Sequence, residues 1–168
     1  SGKCGGFFGV RRFDRERAPD GTVRRIHSVT VSGLLETSHR LPCLDYDTLM
    51  RLVRAMTGSH REIMEMYRRM CFNVFAHNRD DHSANFSFLY DETARAWRLS
   101  PAYDLTWSSS VLGEHATLVH GSGSDPGMKD VLAAAAEAGI SRRKAQEIAE
   151  EIHEIAEEDL GLYLRRKQ

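Results

Sequence analysis

The chain has 168 residues, 41% hydrophobic and 28% charged, with a formal net charge of -1. That is the composition of an ordinary globular domain able to bury a sizeable core, and the near-neutral balance excludes a global attraction to nucleic acid. No apolar run approaches the roughly 18 residues of a membrane span, and no signal-peptide pattern supports secretion. Cys4, Cys43 and Cys71 are widely spaced, with no C-x-x-C pair. That favours reduced thiols in a cytoplasmic protein over a disulfide framework or a zinc site.

Ser1-Gly2-Lys3 lacks the rest of a phosphate-binding G-x-x-x-x-G-K-[ST] loop. The aromatic run 7–13 reads as a strand. Pro19-Asp20-Gly21 is a turn signal: a fixed φ, an Asx acceptor, then a permissive glycine. Residues 23–29 then return as the second strand of a hairpin. Arg11, Arg12, Arg24 and Arg25 read as its solvated face. A short helix is expected at 31–36. A longer one follows at 46–56, where Leu49, Leu52, Val53 and Met56 recur at helical spacing behind Asp45 or Asp47 as N-cap. Gly58 ends it. Ser59 and Glu62 form a capping box that opens a helix running toward Ala76, with Ile63, Met66, Tyr67, Met70 and Val74 as its apolar stripe.

That helix delivers a dense polar knot, His77-Asn78-Arg79-Asp80-Asp81-His82-Ser83-Ala84-Asn85, between two apolar runs. Loops held between buried walls often carry function. Arg79-Asp80 followed by Asn85 has the R-D-x-x-x-x-N spacing of a kinase catalytic loop. There the Asp orients a hydroxyl nucleophile and accepts its proton, and the Asn holds Mg²⁺. A second hairpin, 85–90 and 96–99, puts Asn85 at one foot and Asp104 just beyond the other. One Asn and one Asp suffice for Mg²⁺, which completes its octahedron with phosphate and water. Asp80 also suits a loop cap or an Arg79 partner, and Asp81 a structural or surface role. His77 and His82 with either Asp are transition-metal ligand types but lack a third ligand at the usual spacing. A Ser-His-Asp hydrolase is set aside for want of a G-x-S-x-G elbow.

Beyond Thr106 a small, polar stretch reaches Ser124 and reads as a loop with functional potential. Pro126 is expected to open a helix to about Ala138, with Gly139 as its C-cap. Ser141 caps the last helix, where Ile148, Ile152, Ile155, Leu160 and Leu162 make a stripe. Arg165-Arg166-Lys167 suits that helix's C-terminal dipole.

Four stretches together, Val10-Arg11-Arg12-Phe13-Asp14-Arg15, Arg25-Ile26-His27, the run Asn78 through Phe86, and Leu99-Ser100-Pro101-Ala102-Tyr103-Asp104-Leu105, resemble HipA-type kinases. These are serine/threonine protein kinases of bacterial toxin–antitoxin modules. The resemblance implies an α+β, mostly α-helical fold: a protein-kinase-like C-terminal lobe with two short β-hairpins and the N-terminal ATP lobe largely missing. A single domain over 1–168 would then comprise a hinge strand and hairpin (1–29), a catalytic core (45–106), a loop (107–124) and C-terminal helices (125–168). The resemblance further implies Asp80 as catalytic base, and Asn85 and Asp104 as Mg²⁺ ligands. Its ATP site would take Arg11, Arg12 and Phe13 at the hinge with His82, Ser83, Ala84, Asn85, Tyr103 and Asp104. By family analogy the partners are a protein bearing Ser or Thr and a HipB-like DNA-binding antitoxin; neither membrane contact nor direct nucleic-acid binding is expected.

Two departures from the pattern matter. Asp81 stands where many relatives carry Gly, and is expected to add charge near the phosphates. The family's Gly-rich phosphate loop, autophosphorylated Ser and phosphate-binding Lys precede the hinge strand, whereas only residues 1–9 precede Val10 here. The expectation is a lobe, truncated or completed by a separate partner, with little or no kinase activity by itself. The other reading is a non-catalytic interaction module that binds an antitoxin or a partner kinase.

Overall fold

A computed structural model of the chain describes residues 9–36, 44–108 and 113–160. The mixed α/β fold has strands β1 (Arg15–Arg17), β2 (Val23–Arg25) and β3 (Ser28–Thr30), helix α1 (Val31–Leu34), and strand β4 (Leu44–Asp45). The helical pair α2 (Tyr46–Thr57) and α3 (His60–Phe75) follows, then strands β5 (Ser87–Asp91), β6 (Ala96–Leu99) and β7 (Thr117–Leu118). Helices α4 (Met128–Glu137) and α5 (Arg142–Ile155) come last, and α5 runs into one π turn, Ala156–Leu160.

The helices form where the apolar spacing demands. Asp45 is the N-cap of α2, its carboxylate accepting from Asp47 N at 2.8 Å, and Gly58 ends the helix at φ 61°. That left-handed conformation costs glycine nothing, so α3 starts at once and folds back on α2. The α3 capping box is only half formed. Ser59 Oγ accepts from Glu62 N, but the Glu62 carboxylate leaves the helix end and accepts Leu99 N of β6 at 2.9 Å. The helix is thereby tied to the sheet. Helix α4 begins after Gly127 rather than at Pro126, with the Asp130 carboxylate accepting Gly127 N. Ser141 is the α5 N-cap by position, without a side-chain capping bond.

Leu49, Met50 and Val53 of α2 pack on Ile63, Met66, Tyr67 and Met70 of α3. Four buried alanines, Ala134, Ala135, Ala145 and Ala149, let α4 and α5 approach that pair closely. Each fully buried Leu, Ile or Val contributes about 1.5–3 kcal/mol. The core, rather than the loops, therefore sets where the functional segments lie.

The strands depart further from expectation. Val10–Phe13 is irregular, and the first hairpin instead pairs Arg15–Arg17 with Val23–Arg25 around the Pro19-Asp20-Gly21 turn. The second hairpin, β5–β6, is flanked by β3 to give the order β3-β5-β6. The stretch 107–124 contributes β7, which pairs in parallel with β4. Ile155, placed in the apolar stripe, is 52% exposed. Phe7, Phe8, Cys4, Cys43, Leu162 and Arg165-Arg166-Lys167 lie outside the described residues, as does the Leu160 side chain. Cys71 is a free, buried thiol, pushed up to about 12 by that burial.

Candidate functional site

Helix α3 ends where Ala76 N bonds Phe72 O, and His77 turns the chain at φ 51°. The loop that follows is anchored from within. Asn78 Nδ2 donates to Asn73 Oδ1 at 2.9 Å, Asn73 Nδ2 to the Tyr46 hydroxyl at 2.8 Å, and that hydroxyl to Asp81 Oδ2 at 2.8 Å. His115 Nδ1 lies 3.1 Å from the same carboxylate oxygen, and Thr117 N donates to the other at 3.2 Å. Burial, then the neighbouring Asp81 charge, push the Tyr46 phenol well above its usual range, so it remains a donor. Asp81 is thus a fully buried anchor: of the roles open to it in the sequence, the geometry bears out the structural one and not a surface charge.

Asp80 turns the other way. Its side chain is 59% exposed, with His82 Nε2 3.7 Å from Oδ1. Its carbonyl accepts Asn85 Nδ2 at 2.9 Å, which fixes Asn85 within the 3₁₀ turn Ser83–Asn85. That bond uses the amide's donor and keeps its oxygen, the atom a hard cation takes.

The opposite wall is built after β6. Arg69, buried on α3 beside Glu65, donates to Ser100 O at 2.6 Å, and Pro101 holds Ser100 extended. The Tyr103 hydroxyl then donates to Ala84 O at 2.7 Å and lies 3.0 Å from Ser87 Oγ, locking this segment to the foot of β5. Burial raises the Tyr103 phenol, which keeps it a donor. Asp104 follows at φ 55°, a conformation uncommon outside glycine and worth attention where it occurs beside a cavity.

A cavity of about 880 Å³ opens here, lined among others by Arg11, Arg12, Phe13, Ala84, Tyr103 and Asp104. The Phe13 and Tyr103 rings lie 5.4 Å apart. Arg12 and Arg15 both hold Asp14, whose carboxyl the Arg12 hydrogen bond pulls down to about 2. Asn85 lines a small adjoining crevice with Asn78, Asp81 and Tyr103. Asp80, half-buried His82 and buried Ser83 are in neither lining. The cavity is of a size that takes a small organic ligand, and Asp104 and Asn85 offer hard oxygens of the kind Mg²⁺ accepts. Among the described residues no three His, Cys, Asp or Glu side chains come together as metal ligands.

The HipA-like C-terminal domain family matches residues 2–160. The chain belongs to that family. It is 34% identical over 107 residues to the putative kinase Y4mE of Sinorhizobium fredii (strain NBRC 101917 / NGR234), a match covering 59% of this chain and 24% of that protein. Its fold resembles a chain of the Shewanella oneidensis MR-1 toxin–antitoxin complex of HipA, HipB and operator DNA. That likeness has a TM-score of 0.68 at 19% identity and covers 90% of this chain and 41% of that one. The chain therefore spans less than half the length of these relatives.

Within this HipA-like domain, Arg69, Tyr46, Asn73, His115 and Thr117 are structural partners of the site that sequence reasoning missed. A polar Asn73 beside the apolar α3 stripe was the available signal. His115 and Thr117 had none, because their partner Asp81 is remote in sequence and spacing does not reveal it.

Proposed function

We propose that this HipA-like domain is the half of an ATP-dependent serine/threonine protein kinase that carries the base and the metal ligands. Asp80 accepts the proton of a protein hydroxyl. The hydroxyl oxygen bonds to the γ-phosphorus, the bond from that phosphorus to the β–γ bridging oxygen breaks, and ADP leaves with its pair of electrons. Asn85 and Asp104 would hold Mg²⁺, whose bound charge offsets that of the phosphates. Arg11, Arg12, Phe13, Ala84, Tyr103 and Asp104 line the cavity that takes the nucleotide, with His82 and Ser83 supporting it from the loop behind. The partner is a DNA-binding antitoxin, in keeping with the HipB named in the structural relative's complex, and the setting is cytoplasmic. No helix among the described residues is long and apolar enough to cross a membrane.

The observation that carries this reading is the joining of two segments by Tyr103 to Ala84 O, both at one cavity that Asp104 also lines, while Asn85 is fixed to Asp80 O within the adjoining loop. The test is transfer of labelled γ-phosphate to Ser or Thr by the polypeptide that carries this chain in its cell. Asp80→Asn should lower the rate about 10²–10⁴-fold, the usual worth of a positioned base. Full transfer by Asp80→Asn would remove Asp80 from the chemistry.

A further inference from the structure

Among the described residues, Ser108, Ala116 and Thr117 bond the catalytic loop at three points along its backbone. Ser108 N donates to His77 O at 3.0 Å, Ala116 N to Arg79 O at 3.1 Å, and the Thr117 hydroxyl to Asp81 O. The Asp81 carboxylate doubles the last of these contacts through Thr117 N, and adds Tyr46 from the start of α2 and His115. Side-chain exposure is 0% for Asp81 and 2% for His115.

A carboxylate is costly to bury unless donors surround it, and donors on several sides leave it one low-energy position. Here those donors come from two segments remote from the loop: the first turn of α2, fixed in the core, and the 115–117 run that enters β7. The carboxylate therefore sets where the loop backbone sits between them. Asp80 is the preceding residue, one peptide of about 3.8 Å away. A shift of the Asp81 peptide carries the Asp80 carboxylate with it.

We propose, resting on the reading of Asp80 as the base, that Asp81 is a positioning residue. Held by Tyr46, His115 and Thr117, its carboxylate fixes the peptide from which Asp80 projects, and its loss slows phosphoryl transfer without weakening nucleotide binding.

The experiment measures kcat and KM for ATP in the polypeptide that carries this chain, for Asp80→Asn, Asp81→Ala, Asp81→Asn and Thr117→Val. Amide hydrogen exchange is followed over 79–82. Asp81→Ala is expected to lower kcat about 100-fold, the scale of a misplacement near 1 Å, with KM for ATP within about twofold of the parent. Asp81→Asn, which retains an oxygen for Thr117 N, recovers part of the rate. Exchange should rise in the loop before it rises in α2 and α3. Should Asp81→Ala fail to fold, Thr117→Val, which deletes the bond to Asp81 O, shows the same split to a smaller degree. An unchanged kcat per folded molecule overturns the proposal, and so does an effect on KM alone. An inactive Asp80→Asn beside fully active Asp81→Ala and Thr117→Val would sink the positioning role and leave the base standing. A fully active Asp80→Asn would remove both.

Discussion

Asp80 and Asp81 are neighbours with opposite surroundings. Asp81 has donors on both oxygens and no exposure, whereas the Asp80 side chain is more than half exposed. Their residue types alone cannot separate them, because the donors that decide the matter come from Tyr46, His115 and Thr117. Arg69 makes the same point from the other wall. An arginine on α3 reads as part of a wet face, yet it is 7% exposed and donates to the Ser100 carbonyl, which leads to Tyr103 and Asp104. Replacing it with the apolar Met strips that buried carbonyl of its donor. Arg69→Met should cost about 1–3 kcal/mol in urea unfolding. It should also weaken Mg²⁺-dependent nucleotide binding by freeing the Asp104 segment. Full stability and unaltered binding would show that Ser100 has no need of the arginine.

At the scale of elements, legibility followed the strength of the local signal. Helices α2 and α3 were readable because Asp45, Gly58 and Ser59 punctuate two clear apolar stripes. Strand β1 was misplaced because its residues, Arg15–Arg17, are all charged and largely solvated, whereas β2, Val23–Arg25, falls within the expected 23–29 strand but stops short of it. The aromatic run before them drew the strand assignment instead. The two-residue β4–β7 pair left no pattern at all. It is nevertheless clasped to α2: Gly121 N donates to Asp45 Oδ2 and His120 Nδ1 lies 2.8 Å from Asp47 Oδ2. The Asp47 hydrogen bond raises the His120 pKa above its ordinary 6.5, with the charges of Asp47, Asp45 and Glu137 acting in the same direction. A raised folded-state pKa contributes stability that is complete below 6.5 and fades as pH rises through the raised value. The stability difference between parent and His120→Ala should therefore be largest below pH 6.5 and shrink across the window above it. A difference constant across that window would mean the ring stays uncharged.

For the molecule as a whole, the helices and a three-stranded sheet position two polar segments that meet where Tyr103 bonds Ala84 O. Glu62 ties α3 to β6, Arg69 ties it to the bend after β6, and Tyr103 ties that bend back to the loop. The R-D-x-x-x-x-N and S-P-x-Y-D stretches were legible because each is local in sequence. How they are braced was not, because each brace spans distant parts of the chain. As this domain spans 24% and 41% of the relatives described, its own capacity to bind nucleotide is the claim to examine first. The direct measurement is calorimetric titration of ATP with Mg²⁺ into this chain, alongside Asp104→Asn. The account predicts a Mg²⁺-dependent heat that disappears in the variant. Heat unchanged by Asp104→Asn would contradict the metal assignment, and an absence of binding in the parent chain would contradict a nucleotide half-site and leave an interaction module.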